Sequence, residues 1–167
     1  MSQSILNSNI NKVHFDCLDS SPSDELILEL ASLSASLFER TSDTHYFKRL
    51  SHKKSPLLIL ARSADNTLIA CKIGYEYSDD VFYSWFGGVH PDYRKQGIAQ
   101  SLMDIQHSWC KQHQFSIIRT KCQFTNTIMY SLNVNNGFSI IGNDFSDIQQ
   151  PKFLFSKILT SHSNLQK

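Results

Sequence analysis

The stretch that decides the fold is Val89-His-Pro-Asp-Tyr-Arg-Lys-Gln-Gly-Ile-Ala99. It follows a segment rich in β-branched and aromatic residues, at 81–89, which predicts a strand. Beyond it, apolar residues recur at intervals of four, three and four, as on one face of a helix: Ile98, Leu102, Ile105 and Trp109. The quoted segment therefore joins a strand to a helix.

This junction has the composition of an anion site. Gly97 allows backbone N–H groups to converge on a ligand without a Cβ in the way, and the helix that follows presents its positive end. Arg94 and Lys95 add charge suited to a phosphate. Taken alone, one glycine and two basic residues before a helix are more often a solvated helix start than a phosphate site, so the neighbouring segments must decide.

The rest of the chain predicts a mixed sheet. Three strands at 57–62, 68–77 and 81–89, joined by short turns, indicate an antiparallel meander. Upstream we predict a strand at 13–18, a helix at 25–39 and a short helix within 41–54. Downstream we predict a helix from 98 to about 114, a strand at 116–122, a helix at 126–135, and closing strands at 138–141 and 153–158. Alternating strands and helices after a meander give an α+β fold.

The length of 167 residues suits one domain, which we place at 12–160, with a loose N-terminal arm at 1–11 and a C-terminal tail at 161–167. Sixteen basic and fifteen acidic side chains leave no basic surplus, which argues against a nucleic-acid partner. No run approaches the roughly 20 apolar residues of a membrane span. The four cysteines are scattered, and no His or Cys spacing suggests a metal site. We therefore predict a cytoplasmic protein without a metal.

Two segments resemble the GNAT acetyltransferase family. Residues 82–99 are similar to its core, in which a strand ending in V-x-P is followed by R-x-x-G-x-A. Residues 126–129 and 132–138 are similar to its second signature, an Asn-led helix closing on G-F. The resemblance implies a mixed, mostly antiparallel twisted sheet with helices on both faces, whose two central parallel strands splay apart.

The resemblance also implies acetyl-CoA as the acetyl donor. Its pantetheine arm would hydrogen-bond to the backbone of Gly88 and Val89, and Gly87-Gly88 is compatible with a bulge there. Asn126 matches the family asparagine near that arm, and it is also a natural helix N-cap. The pyrophosphate would rest on the amides of Arg94, Lys95, Gln96, Gly97, Ile98 and Ala99.

The chain departs from the family where a tyrosine commonly protonates the departing thiolate. Asn133 stands there, and an amide cannot supply a proton as a phenol can. Tyr130, one helical turn earlier, is either a substitute acid or a packed aromatic. A third option is that the thiolate leaves without a dedicated acid, since a thiol has a pKa near 8.5.

A general base for the acceptor amine is harder to find. Glu76, near the end of a central strand, is the best carboxylate, although a charge at a strand end often has no catalytic role. By alternation, Tyr83 and Trp85 should share one face of their strand, and Phe82 and Phe86 the other. The aromatic residues not needed for the core could wall an acceptor pocket, by apolar contact or by holding a cation over a ring.

The sequence thus predicts an N-acetyltransferase that moves an acetyl group from acetyl-CoA to a primary amine of a small molecule, by direct attack in a ternary complex. A protein amine as acceptor remains an alternative, and so does a non-catalytic acyl-CoA sensor, for which Asn133 is the main support. A homodimer is left open. The acceptor itself and the preferred acyl chain are not specified by the sequence.

Overall fold

The computed structural model describes residues 12–38 and 43–159. The strands are β1 (His14–Leu18), β2 (Leu57–Arg62), β3 (Leu68–Ser78), β4 (Val81–Val89), β5 (Ile117–Gln123), β6 (Ser139–Asp144) and β7 (Lys152–Ile158). The helices are α1 (Asp24–Phe38), α2 (Thr44–Lys48), α3 (Ile98–Gln112) and α4 (Thr127–Asn135), with 3₁₀ turns at Arg49–His52 and Pro91–Tyr93. The predicted arm at 1–11 and tail at 161–167 lie outside the described residues, as do the end of the predicted helix at 25–39 and the start of the segment at 41–54.

All seven strands form one sheet in the order β1-β2-β3-β4-β5-β7-β6. Within the described residues β4 and β5 are the one parallel pair, and every other pairing is antiparallel. Two apolar clusters lie on opposite faces. One packs α3 and α4 against the sheet and the other packs α1 and α2. The predicted α+β class, with helices on both faces, is confirmed.

Strand β2 shows how the sequence builds both clusters. Leu57, Ile59 and Ala61 belong to the α3 side, whereas Leu58 and Leu60 belong to the α1 side. Because side chains alternate along a strand, a strand covered on both faces needs a continuous apolar run, and this segment supplies one. The result is a rigid centre to the sheet beside β3 and β4.

A bulge in β4 changes which face its aromatic residues occupy. Ile73 pairs with Phe86 and Gly74 with Ser84, which leaves Trp85 as the extra residue. Beyond a bulge the alternation shifts by one, so Trp85 and Phe86 both lie against Phe47 of α2. The prediction that Phe86 lies opposite Trp85 was therefore wrong. The bulge is also earlier than Gly87-Gly88, the position that the glycines suggested.

The central parallel strands separate soon after they meet. They pair from Val81–Ile117 to Ser84–Thr120, where the Thr120 hydroxyl donates to the Ser84 carbonyl oxygen at 2.9 Å. Beyond this point β4 stays paired with β3, and β5 stays paired with β7. The two strands therefore diverge, as predicted, and leave a V-shaped gap in the sheet.

We expect Gly74→Ala to destabilise the fold, because β4 leaves no room for a Cβ at Gly74. A Cβ at this residue would lie 2.3 Å from Phe82 Cε1 and 2.6 Å from the Tyr83 carbonyl oxygen. Overpacking of this kind typically costs about 1–3 kcal/mol. The matched control is Gly142→Ala in β6, where the nearest atom would be Leu154 Cδ1 at 3.6 Å. Urea unfolding of both variants measures the difference, and equal midpoints would contradict the expectation.

Candidate active site

The gap between β4 and β5 opens into a cavity of about 1050 Å³. Tyr46 and Arg49 line it from the α2 side of the sheet. Asn126 and Met129, at the start of α4, line it from the other side. Because residues from both faces contribute, the cavity passes through the sheet where the strands diverge. We call it the cleft.

The loop after β4 leads into an uncapped helix start. The N–H of His90 donates to the Ile69 carbonyl oxygen at 2.8 Å, and Arg94 Nε donates to the Val89 carbonyl oxygen at 3.1 Å. Gly97 then adopts φ +79° at the N-cap of α3, where no side chain caps the first turn. A Cβ at Gly97 would meet no atom within 4 Å. The first amides of α3 therefore face open space, a geometry suited to an anion.

The other residues predicted to bind the cofactor surround the cleft and this loop. Gly88 and Val89 are half-buried on β4, whose edge toward β5 has no strand partner at that point within the described residues. Asn126 caps α4, since its Oδ1 accepts from the Met129 N–H at 3.1 Å, and it also lines the cleft. Residues 94–97 are exposed, Ile98 is buried and Ala99 is half-buried.

Asn133 lies two turns along α4 from Asn126, on the inward face of the helix. It is 1% exposed, and its Nδ2 has no hydrogen-bond partner among the described residues. Tyr130 instead packs into an aromatic group, with its ring 5.4 Å from Phe153 and 5.8 Å from Phe155. Tyr130 is not among the residues described as lining the cleft. The placement supports the interpretation of Tyr130 as a packed aromatic.

Glu76 lies near the end of β3 and does not itself line the cleft, although its chain neighbours Tyr75 and Tyr77 do. Its carboxylate forms an ion pair with Lys54 and accepts from the Ser55 hydroxyl at 2.9 Å. The hydrogen bond from Lys54, followed by that from Ser55, lowers the pKa of Glu76. This placement gives Glu76 a structural role and makes it a weak proton acceptor.

Lys72 is a cleft residue that the sequence interpretation missed. It lies opposite Gly87 in the β3–β4 pair, is 9% exposed and lines the cleft. Burial lowers the pKa of its amine to about 8, and the nearby Cys71 and Cys110 only partly oppose the shift. The signal was a single lysine in the apolar run Ile69-Ala-Cys-Lys-Ile73, since a lysine is almost never fully buried without a partner.

Comparison with known proteins gives a consistent result. The family model for the acetyltransferase (GNAT) family matches residues 25–138. The chain belongs to the GNAT acetyltransferase family. Members of this family are acetyl-CoA-dependent N-acetyltransferases, which makes the chain an acyltransferase. No curated protein sequence matches this GNAT chain.

Solved structures similar to this GNAT chain share its fold at low identity. The ribosomal-protein-S18-alanine N-acetyltransferase from Escherichia coli has a TM-score of 0.75 at 12% identity, covering 92% of this chain and 99% of that one. A GNAT family acetyltransferase from Elizabethkingia anophelis with acetyl-CoA bound has a TM-score of 0.67 at 16% identity, covering 92% and 100%. The NatC complex bound to Gag peptide and CoA has a TM-score of 0.73 at 16% identity, covering 89% and 99%.

Two further observations apply to the described part of this GNAT domain. No three His, Cys, Asp or Glu side chains within residues 12–38 and 43–159 are arranged to hold a metal ion. None of the described helices is long and apolar enough to cross a membrane.

The burial of the Lys72 amine leads to a prediction about the free energy of unfolding. Its pKa is lower in the folded protein than in the unfolded chain, so folding is penalised at pH 7 by about 3 kcal/mol, at roughly 1.4 kcal/mol per pKa unit. As the pH rises from about 8 to about 10.5, this penalty disappears and the stability of the wild type rises. We expect Lys72→Met to be more stable at pH 7, with an advantage that shrinks by pH 10. Urea unfolding at both pH values measures it, and an advantage independent of pH would contradict the assignment.

Proposed function

We propose that this chain transfers an acetyl group from acetyl-CoA to a primary amine of a small molecule, by direct attack of the amine on the thioester in a ternary complex. The observation that carries the proposal is the cleft through the sheet. Because it is lined from both faces, a cofactor arm and an acceptor can approach one point from opposite sides. Direct attack is favoured because burial raises the pKa of Cys122, the cysteine that lines the cleft, and raises that of Cys71 and Cys110 to about 12. These thiols are therefore poor nucleophiles near neutral pH.

The cleft and loop fit a coenzyme A donor. Beyond Ser84 the edge of β4 at Gly88 and Val89 has no strand partner toward β5 among the described residues, which leaves room for a pantetheine amide, while the Val89 carbonyl oxygen already accepts from Arg94 Nε. The buried Nδ2 of Asn133, which is not part of the cleft lining, has no hydrogen-bond partner among the described residues. A phosphate fits the uncapped start of α3, where Arg94, Lys95 and the amides through Ala99 would hold it. When bound, acetyl-CoA supplies the acetyl group in activated form, as a thioester.

Proton handling in the cleft falls to Lys72. Glu76 is engaged by Lys54, Tyr130 is packed among phenylalanines, and Asn133 can donate a hydrogen bond without giving up a proton. The amine of Lys72 has a pKa of about 8, so near neutral pH it can both hold and release a proton. Lys72 therefore takes the role that the family tyrosine would have, with its proton available to the departing sulfur.

A protein amine is the rival acceptor. The aromatic residues that line the cleft, Tyr46, Tyr75, Tyr83 and Trp85, favour a small molecule over it. Thiol release with a panel of small amines and of peptides tests the two. If acetyl-CoA binds tightly but no thiol is released with any amine, the sensor alternative is supported and the enzyme proposal fails. The cytoplasmic location stays a prediction, and the homodimer stays open.

We expect Gly97→Asp to weaken binding of CoA at least tenfold. The new carboxylate would repel the phosphates and the side chain would occupy the space before the amides, at a cost of at least about 1–2 kcal/mol in charge-assisted hydrogen bonds. Gly97→Asn is the matched control, because asparagine tolerates positive φ and carries no charge. Calorimetric titration of CoA measures both. Equal affinity in a folded aspartate variant would remove the phosphate site.

The role of Lys72 predicts a shift in the thiol pKa of bound CoA. An ammonium beside the sulfur stabilises the thiolate, so this pKa should be lower in the wild type than in Lys72→Met by about one unit or more. Thiolate absorbance against pH measures it, with desulfo-CoA complexes as blanks for the protein thiols. Lys111→Met, which removes an exposed charge from α3, is the control. If CoA binds but Lys72→Met leaves the thiol pKa unchanged, Lys72 has no role at the sulfur, whereas failure of CoA to bind would contradict the cofactor itself.

A further inference from the structure

The wall of the cleft on the α2 side is a continuous group of aromatic rings. Tyr46 stacks on Trp85 with ring centroids 4.4 Å apart and an angle of 21° between the planes. Tyr75 lies edge-on to Tyr83 at 5.6 Å and tilted against Trp85 at 6.2 Å. All four rings line the cleft. Burial raises the pKa of Tyr83 well above its usual range, so its hydroxyl stays a hydrogen-bond donor at any physiological pH.

Arg49 lies over this wall. Its guanidinium carbon is 5.6 Å from the centre of the Tyr46 ring and 5.8 Å from that of Trp85, and the residue lines the cleft. No carboxylate in the described part of the chain lies within ion-pair distance of it. The nearby Asp43 is engaged as the N-cap of α2, where it accepts from the Tyr46 N–H at 3.2 Å. Arg49 is therefore held by ring contacts, which leave the edge of the guanidinium free for a planar anion.

Cations of the protein already lie against three of these four rings. The Arg49 guanidinium lies beside the Tyr46–Trp85 stack, nearly equidistant from the two ring centres, and Lys53 Nζ lies 4.6 Å from the centre of the Tyr75 ring. An acceptor ammonium placed over the same rings would meet like charge. The wall therefore suits the part of an acceptor that is not the amine.

The charge of the cleft is positive although the whole chain carries a formal charge of only +1. The basic residues described as lining it are Arg49, Lys72, Arg119, Lys121 and Lys152, and the acidic ones are Asp43 and Asp144. Asp144 is paired with Lys121 at 2.7 Å. Arg94 and Lys95, at the predicted phosphate site, are not part of this lining. The excess is therefore additional to what the cofactor phosphates require, and in a cleft such a field attracts anions.

We propose that the acceptor is a primary amine that also carries a carboxylate, and that Arg49 binds the carboxylate against the Tyr46–Trp85 stack. This assignment of the acceptor rests on the proposed acetyl transfer. The guanidinium presents two parallel N–H groups to the two carboxylate oxygens, a geometry that also sets the direction of the rest of the molecule. With the anion at the wall, the amine extends toward the gap between β4 and β5.

The first experiment compares acceptors in matched pairs: glycine, β-alanine and 4-aminobutyrate, each against its carboxamide. Acetylation is followed as thiol release from acetyl-CoA. We expect at least one amino acid to exceed its carboxamide about tenfold in kcat/KM. The amine basicity works against this result, because the amines of glycinamide and β-alaninamide are less basic than those of glycine and β-alanine. More of each amide is therefore present as the reactive free base at neutral pH. Short peptides with acidic or neutral side chains form a separate arm, and a preference for the acidic peptides over every small acid would assign the carboxylate to a protein acceptor.

Variants at Arg49, the first residue of the 3₁₀ turn after α2, then test its role. Arg49→Gln should lower kcat/KM for the carboxylate acceptors about tenfold or more, mainly by raising KM. It should change kcat/KM for the carboxamides less than about twofold. Arg49→Lys should fall between, because it keeps the charge but not the planar fork. Lys48→Gln is the matched control, since it removes the same charge from the neighbouring exposed position, which does not line the cleft. It should leave the preference intact.

Binding without turnover separates this proposal from the proposed function. The tryptophan fluorescence of the CoA complex, to which Trp85 of the wall and Trp109 of α3 both contribute, should respond to 4-aminobutyrate at lower concentration than to its amide, and Arg49→Gln should remove the difference. If this holds while no acceptor is acetylated, the carboxylate site stands and the acetyl transfer fails. If carboxylates and amides bind and react alike in the wild type, or if Arg49→Gln leaves their ratio unchanged, the proposal is overturned.

Discussion

The separation of β4 from β5 is the feature on which the site depends. A strand edge buried in a protein normally has its N–H and C=O groups paired, because an unpaired buried backbone group costs about as much as a lost hydrogen bond. Here each strand keeps its outer neighbour and loses its inner one. The last contact between them is reinforced by the Thr120 hydroxyl on the Ser84 carbonyl oxygen, and the next residue of β4, Trp85, is the bulge. A bulge increases the local twist and turns the strand away, which keeps the gap open beyond Ser84.

Local pattern predicted most of the fold. The run at 57–62 and the helical stripe beginning at Ile98 each carry their own signal, and both elements appear at the predicted positions. The face of Phe86 was not predictable in this way. It depends on how β3 and β4 align. The bulge at Trp85 arises because Ile73 pairs with Phe86 while Gly74 pairs with Ser84, and this register is not encoded by either strand alone. The two glycines after it were a misleading signal, because both pair in regular register.

The site was predictable where the residues form a continuous motif and not where distant segments meet. The loop from Arg94 to Ala99 is contiguous, so its geometry follows from one turn and one helix start. Glu76 looked available because its partner, Lys54, comes from another segment of the chain. Arg49 gave no signal for the converse reason, since its environment is made by Trp85, which lies 36 residues away in the sequence. The burial of Lys72 could have been predicted from its position in an apolar run. Its place in the cleft could not, because that depends on its pairing with Gly87 of β4.

The short seam between β4 and β5 also has a mechanical consequence. Among the described residues, four residue pairs join a four-stranded half, β1 to β4, to a three-stranded half, β5 to β7, within the sheet, which is fewer than in any other pair of strands. The side chains of Phe82 and Ile118 on either side of this seam are buried in one apolar cluster that spans both halves. Because its backbone ladder is the shortest, we expect faster amide hydrogen exchange at Val81–Ser84 and Ile117–Thr120 than in β2 and β3. A ligand that spans the gap holds the two halves of the sheet together. The backbone amides of the seam should therefore exchange more slowly in the complex, even though the ligand contacts few of these residues.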